Sequence, residues 1–263
     1  MKYIVDFDNT FGVKYRDVDD FLALMYMIKS KADIELVTTT FGNDTIEVVN
    51  RATDKVMHDL DIELNLAYGN KDAATKIVDV VNKNDDTTII TLGSLHNIRK
   101  AYELDNSIAK RTKIISMGTI SEALIINNKK MDELNFSCDY ESGKIVLENF
   151  ENISIVTANN CLDYYLKLEE IERIFGKYKY LKENAYDWFR YHSMDYELDY
   201  IIIWDLITAV YALQPEMFVP HYKKVNFEHL GKGLLLGDEK GKLINFPVLK
   251  SRESFIREIE NVF

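Results

Sequence analysis

The chain has 263 residues, 47% of them hydrophobic and 12% aromatic, and carries a formal net charge of −11. That length and apolar content suit one well-filled domain, residues 1–263, and exclude a disordered chain. The acidic balance argues against a non-specific nucleic-acid or anionic-membrane binder, both of which need a positive surface.

Cys138 and Cys161 belong to no Cys-x-x-Cys or His/Cys cluster, so reduced thiols are expected and thiolate zinc chemistry has no ligands. No apolar run is long enough for a signal peptide or a spanning helix, and a cytoplasmic location is the expectation. Short β-branched runs at Tyr3–Val5, Ile34–Thr40, Thr88–Leu92, Lys113–Met117 and Ile153–Thr157 read as buried strands. Stretches with helical spacing lie between them at Phe21–Lys29, Ile46–Leu60, Ile98–Leu104 and Ile145–Phe150. The alternation predicts an α/β fold, a mostly parallel central sheet flanked by helices. Further on, Tyr178–Tyr200 is dense in aromatics and charges and reads as helices and loops over the sheet. Val225–Leu249, with Gly231, Gly233, Gly237 and Gly241, reads as hairpin-like strands at the periphery, and Ser251 as the cap of a closing helix.

Active sites in such sheets gather at the carboxyl ends of the strands. The first strand ends in Asp6-Phe7-Asp8, and Asp17-Val18-Asp19-Asp20 precedes the next helix. Helix capping or a solvated acidic loop accounts for Asp17, Asp19 and Asp20. Capping does not account for Asp6 and Asp8 at the end of a buried strand. Carboxylates so close raise each other's pKa unless a cation lies between them, and calcium suits such oxygen donors.

The acidic loop resembles that of the inosine/uridine-type nucleoside hydrolases, and further segments follow in the same order. They are Thr38-Thr39-Thr40-Phe41-Gly42-Asn43, Leu92-Gly93-Ser94-Leu95-His96-Asn97-Ile98, Met117-Gly118, and Asn127 followed by Glu133-Leu134-Asn135-Phe136. Trp204-Asp205-Leu206, leading to Gln214-Pro215-Glu216, completes the series. The resemblance implies a calcium-dependent hydrolase of N-glycosidic bonds, a small-molecule nucleoside or riboside as substrate, and a homo-oligomer. It implies calcium held by Asp8, Asp20, Asp205 and the Leu92 carbonyl, with Asp8 as general base toward a water in the metal's shell. Asp19, Asn43, Asn127, Glu133 and Asn135 are then the residues that bind the ribose, and Trp204 faces the base.

Three features depart from that pattern. Asn9–Arg16 lengthens the acidic loop. Trp204 stands where many relatives carry a histidine that assists the leaving base, and an indole cannot serve as an acid at neutral pH. Gly69-Asn70-Lys71-Asp72 lacks a second histidine-bearing stretch. The sugar side is thus kept and the leaving-group side rewritten. His192, with Tyr186, Trp188 and Tyr191 close by in sequence, is either an idle surface histidine or a substitute acid. Two other functions remain open at this point. One is a non-catalytic calcium-dependent riboside binder. The other is a haloacid dehalogenase-like phosphatase with Asp6 as nucleophile and Asp8 as acid–base, which leaves the later motifs unexplained.

Overall fold

The strands form where β-branched and aromatic side chains alternate between two apolar faces. Along the first strand Tyr3, Val5 and Phe7 enter one core and Ile4 the other. The computed structural model describes all residues, 1–263. The first half runs β1 (Lys2–Phe7), α1 (Asp19–Lys29), β2 (Ile34–Thr39), α2 (Ile46–Asp59), β3 (Leu66–Ala67), α3 (Ala73–Lys83), β4 (Thr87–Thr91), α4 (His96–Leu104), α5 (Ile108–Arg111) and β5 (Thr112–Met117). A hairpin, β6 (Leu124–Ile126) and β7 (Lys129–Met131), leads to α6 (Tyr140–Asn149), β8 (Asn152–Val156), α7 (Ala158–Cys161), β9 (Tyr165–Lys167) and α8 (Leu168–Phe175). Then come α9 (Lys179–Tyr196), β10 (Tyr200–Ile202), α10 (Trp204–Leu213), β11 (Phe218–Val219), β12 (Tyr222–Asn226), β13 (Leu236–Gly237), β14 (Lys242–Asn245), β15 (Val248–Leu249) and α11 (Arg252–Val262).

The central sheet has nine strands in the order β13-β12-β14-β8-β5-β4-β1-β2-β3. From β3 through β14 every neighbouring pair is parallel, and only β12 runs against its neighbours. The expected α/β class and the five expected strands are present. The chain steps from β1 to β2 on one side and returns to β4 on the other, so the loops after β1 and β4 diverge. Such a switch point opens a crevice at the carboxyl ends of the strands.

The glycine-rich stretch supplies antiparallel strands at one edge of the sheet, as expected, and β14 joins that edge to β8 through Asn245 and Ser154. One feature was not expected: α3 lies where no helix is read from the sequence, its face built from Ala73, Ile77, Val80 and Val81 at helical spacing. Tyr178–Tyr200 supplies one 18-residue helix, α9. Ser251 caps α11 as expected, accepting the Ser254 N–H. No helix is long and apolar enough to cross a membrane.

Candidate active site

Each strand around the switch point delivers polar groups to one cavity of about 210 Å³. Asp8 follows β1, Asn43 follows β2, Leu92 follows β4 and Met117 ends β5. The cavity wall includes Asp17, Asp19, Asn43, Leu92, Glu133 and Asn135 on one side. Trp188, His192, Tyr196 and Trp204 stand among the other lining residues, and Asp205 also reaches the cavity. Asp8 and Asp20 are fully buried just behind this surface.

The acidic residues do not cap α1. Its N-cap is Val18, with no side-chain cap hydrogen bond. Asp20 Oδ1 instead accepts the Asp8 N–H at 3.2 Å, and Asp19 Oδ2 accepts the Asp205 N–H at 3.0 Å. That second bond joins the N-termini of α1 and α10, and both helix dipoles favour negative charge there. Residues 186 positions apart in sequence thereby meet. Asp8 Oδ2 accepts the Asn43 N–H at 2.6 Å. Gly42 and Gly93 pack against Asp8 so closely that a Cβ on either would lie 2.0 Å from its Oδ2 or 2.8 Å from its Cγ.

Burial raises the pKa of Asp8 and Asp19, and burial plus the neighbouring carboxylates lifts Asp17, Asp20 and Asp205 further. Arg16 of the same loop pairs with Asp44 at 3.0 Å and offsets the rise at Asp17 only in part. Asp19 Oδ1 and Asp205 Oδ1 are buried without any hydrogen-bond partner. Hard oxygen donors in that state fit calcium chemically. No three acidic, histidine or cysteine side chains already surround a common point as a metal-binding group. Asn43 occupies the ground between them, its Nδ2 facing Asp8, Asp17 and Asp20 at 3.3, 2.9 and 3.1 Å. One amide has two hydrogens for three carboxylates, so this arrangement leaves negative charge short of donors.

On the sugar side, Glu133 is held from beneath. Its carboxylate accepts N–H groups of Thr119, Phe136 and Ser137 at 3.1, 2.9 and 2.9 Å. Asn135 Nδ2 donates to the carbonyls of Leu92 and Met117 at 2.9 and 3.2 Å. That contact ties a residue expected to bind ribose to a carbonyl expected to bind metal. Asn127 is not brought to the cavity. It sits exposed at the tip of the β6–β7 hairpin with φ +45°, and its amide caps the end of α9 by donating to the Tyr196 carbonyl at 2.9 Å.

The Asn9–Arg16 insertion folds back onto the protein. Phe11 is buried between Phe21 and Tyr180, with ring centroids 4.9 and 5.6 Å away. The Thr10 hydroxyl donates to Asp17 Oδ1 at 3.1 Å. Asp17, which the sequence reads as a helix cap or a solvated acid, is part of the cavity wall. His192 is not a surface histidine either: it is 4% exposed and lines the cavity. Asp6 is fully buried away from the cavity lining, its Oδ1 taken by Thr38 and Asn97. The phosphatase reading needs Asp6 as its nucleophile, and the family match described below leaves that reading without support.

Solved structures share this fold. A plant nucleoside hydrolase superposes with a TM-score of 0.84 at 21% identity, covering 99% of this chain and 98% of that one. A purine-preferring ribonucleoside hydrolase from Gardnerella vaginalis gives 0.84 at 18% identity, covering 100% and 98%. An inosine-uridine preferring nucleoside hydrolase from Bacillus anthracis gives 0.79 at 13%, covering 99% and 98%. No curated protein sequence matches the chain.

The architecture is therefore that of a nucleoside hydrolase. The model of the inosine-uridine preferring nucleoside hydrolase family matches residues 59–255, and the chain belongs to that family. It is an N-glycosyl hydrolase by family. The match begins beyond the acidic loop and does not include Asp8, Asp19, Asp20 or Asn43.

Proposed function

We propose that the protein hydrolyses the N-glycosidic bond of ribonucleosides or related N-ribosides in a calcium-dependent reaction, with Asp8 as general base. The observation that carries this reading is the meeting of buried carboxylates from both ends of the chain: Asp19 accepts the Asp205 N–H at the cavity wall, and Asp8 and Asp20 lie buried next to them, joined by a hydrogen bond. Asp8, Asp20, Asp205 and the Leu92 carbonyl would hold the ion. When bound, it would offset the clustered negative charge and make a nearby water more acidic.

Asp8 takes the proton of the attacking water, whose oxygen forms the new bond to the anomeric carbon. The C–N bond breaks through an oxocarbenium-like state, and its electron pair leaves with the base. Asp19, Asn43, Glu133 and Asn135 hold the sugar hydroxyls so that the ring cannot turn away from the water. Trp204 offers an aromatic face to the base without a transferable proton.

The substrate is a small-molecule nucleoside or riboside, and the same reading makes the protein a cytoplasmic homo-oligomer. The test is ribose release from p-nitrophenyl riboside with calcium, with a chelator, and after calcium is restored. Turnover should vanish with the chelator and return with the ion. Turnover indifferent to the chelator would refute the metal-dependent reading.

A further inference from the structure

Three features of the cavity's second wall have no place in the reaction just described: the insertion, α9, and the two unpartnered polar atoms that α9 carries. Trp188, His192 and Tyr196 share one face of α9 at intervals of four residues. The His192 ring lies 4.5 Å from Trp188 and 5.4 Å from Tyr196. Trp188 in turn stacks on Tyr191 at 5.2 Å with an 18° interplanar angle, and Tyr191 meets Tyr15 of the insertion at 5.7 Å. An aromatic ladder therefore runs from the inserted loop to the cavity. From the other side, Asn127 and Lys129 of the β6–β7 hairpin cap the α9 carbonyls of Tyr196 and Asp195. The His192 ring is thus fixed in place by packing.

What the packing leaves unmet is hydrogen bonding. His192 Nδ1 and Trp188 Nε1 are both buried without a partner, and no protein group engages the other imidazole nitrogen. Buried polar groups in folded proteins are nearly always paired, and an unpaired one weakens the fold. Burial also pushes the His192 pKa down to about 4, so near neutral pH the ring is an uncharged donor and acceptor.

Building on the proposed riboside chemistry, we infer that His192 is a specificity-determining residue that hydrogen-bonds, as a neutral imidazole, to the polar edge of the leaving base. The ligand class is a planar heterocycle carrying ring nitrogens or a carbonyl, with Trp188 and Trp204 as apolar contact surface and His192 as the polar contact. A neutral imidazole stabilises the departing base by hydrogen bonding and has no extra proton to give. The device therefore discriminates between leaving groups without supplying the acid that Trp204 lacks.

The experiment compares wild type, His192→Phe and His192→Gln on inosine and on p-nitrophenyl riboside, whose leaving group has no ring nitrogen. Phe keeps the ring and its packing and removes the hydrogen bond, while Gln restores a donor and acceptor. The expected result is a loss of about tenfold in kcat/KM on inosine for His192→Phe, equivalent to one good hydrogen bond. His192→Gln should recover part of that loss, and neither variant should change p-nitrophenyl riboside cleavage more than about twofold. Equal losses on both substrates, or no loss on inosine, would overturn the inference alone. Failure of the wild type to cleave either riboside would overturn the underlying riboside chemistry as well.

Discussion

The two walls of the cavity are built from different material. The sugar wall comes from loops at the ends of β1, β2, β4 and β5, whose strands are buried on both faces. The base wall comes from α9 and the β6–β7 hairpin, joined to each other by helix-capping hydrogen bonds. The first wall is crowded with carboxylates and amides that bond one another. The second is aromatic, with buried nitrogens left free. A sheet-end scaffold holds reacting groups to tight tolerances, whereas an attached helix can change without disturbing them. On the proposed reading, His192 belongs to the attached helix, whereas Trp204 opens α10 beside Asp205 and the carboxylate cluster.

If that division holds, changes on the sugar wall should be severe and general. The largest effect is expected for Asp8→Asn. Loss of a general base typically costs about 10²–10⁴ in rate, and here kcat should fall by at least that much on every riboside while calcium affinity also drops. Equal activity in Asp8→Asn and wild type, in a steady-state assay on p-nitrophenyl riboside, would remove Asp8 from the chemistry.

Asn135→Ala comes next. An unpaired sugar hydroxyl costs about 1–3 kcal/mol, and the Leu92 carbonyl would also lose its donor. Ribose binding by calorimetry should weaken accordingly. Asn127→Ala should leave ribose affinity unchanged, because its amide caps α9 instead of lining the cavity. Matching losses in the two variants would mean that the hairpin turns Asn127 inward on binding.

The base wall makes a quieter prediction about stability. The His192 pKa falls from 6.5 when unfolded to about 4 in the fold, so between those values the unfolded chain binds more protons. The contribution is fully present above about pH 6.5 and is lost as pH falls toward 4. Denaturant melts across that window should show a shallower decline with acidification for His192→Phe than for wild type. Parallel slopes would mean that His192 titrates normally.

Most of the sugar wall was legible in the sequence because it is local. A polar residue directly after a β-branched run must emerge at a strand end, and Asp8, Asn43 and Leu92 do. Asp205 was legible only through the ordered series of motifs, since its meeting with Asp19 depends on α10 packing against α1. Asn127 shows the limit of spacing. Its distance from Glu133 fits the pattern, yet a hairpin turn carries it outside the wall. Asp17 and His192 could not be read because their roles depend on burial. The Thr10 hydroxyl of the insertion holds Asp17, and Trp188 and Tyr196 pack against a histidine whose neighbours in sequence suggest an exposed helix face. The β14 register with β8 rests on one residue pair and leaves no periodic signal.

The central claim is that this chain keeps the sugar-side chemistry and lacks a proton donor for the base. The most direct test is the ratio of wild-type kcat/KM on p-nitrophenyl riboside to that on inosine, with calcium at neutral pH. General-acid assistance is worth about 10²–10⁴-fold, so the account predicts a ratio of at least about 10² in favour of the substrate whose leaving group departs as a stable anion. Comparable rates on the two substrates would contradict it.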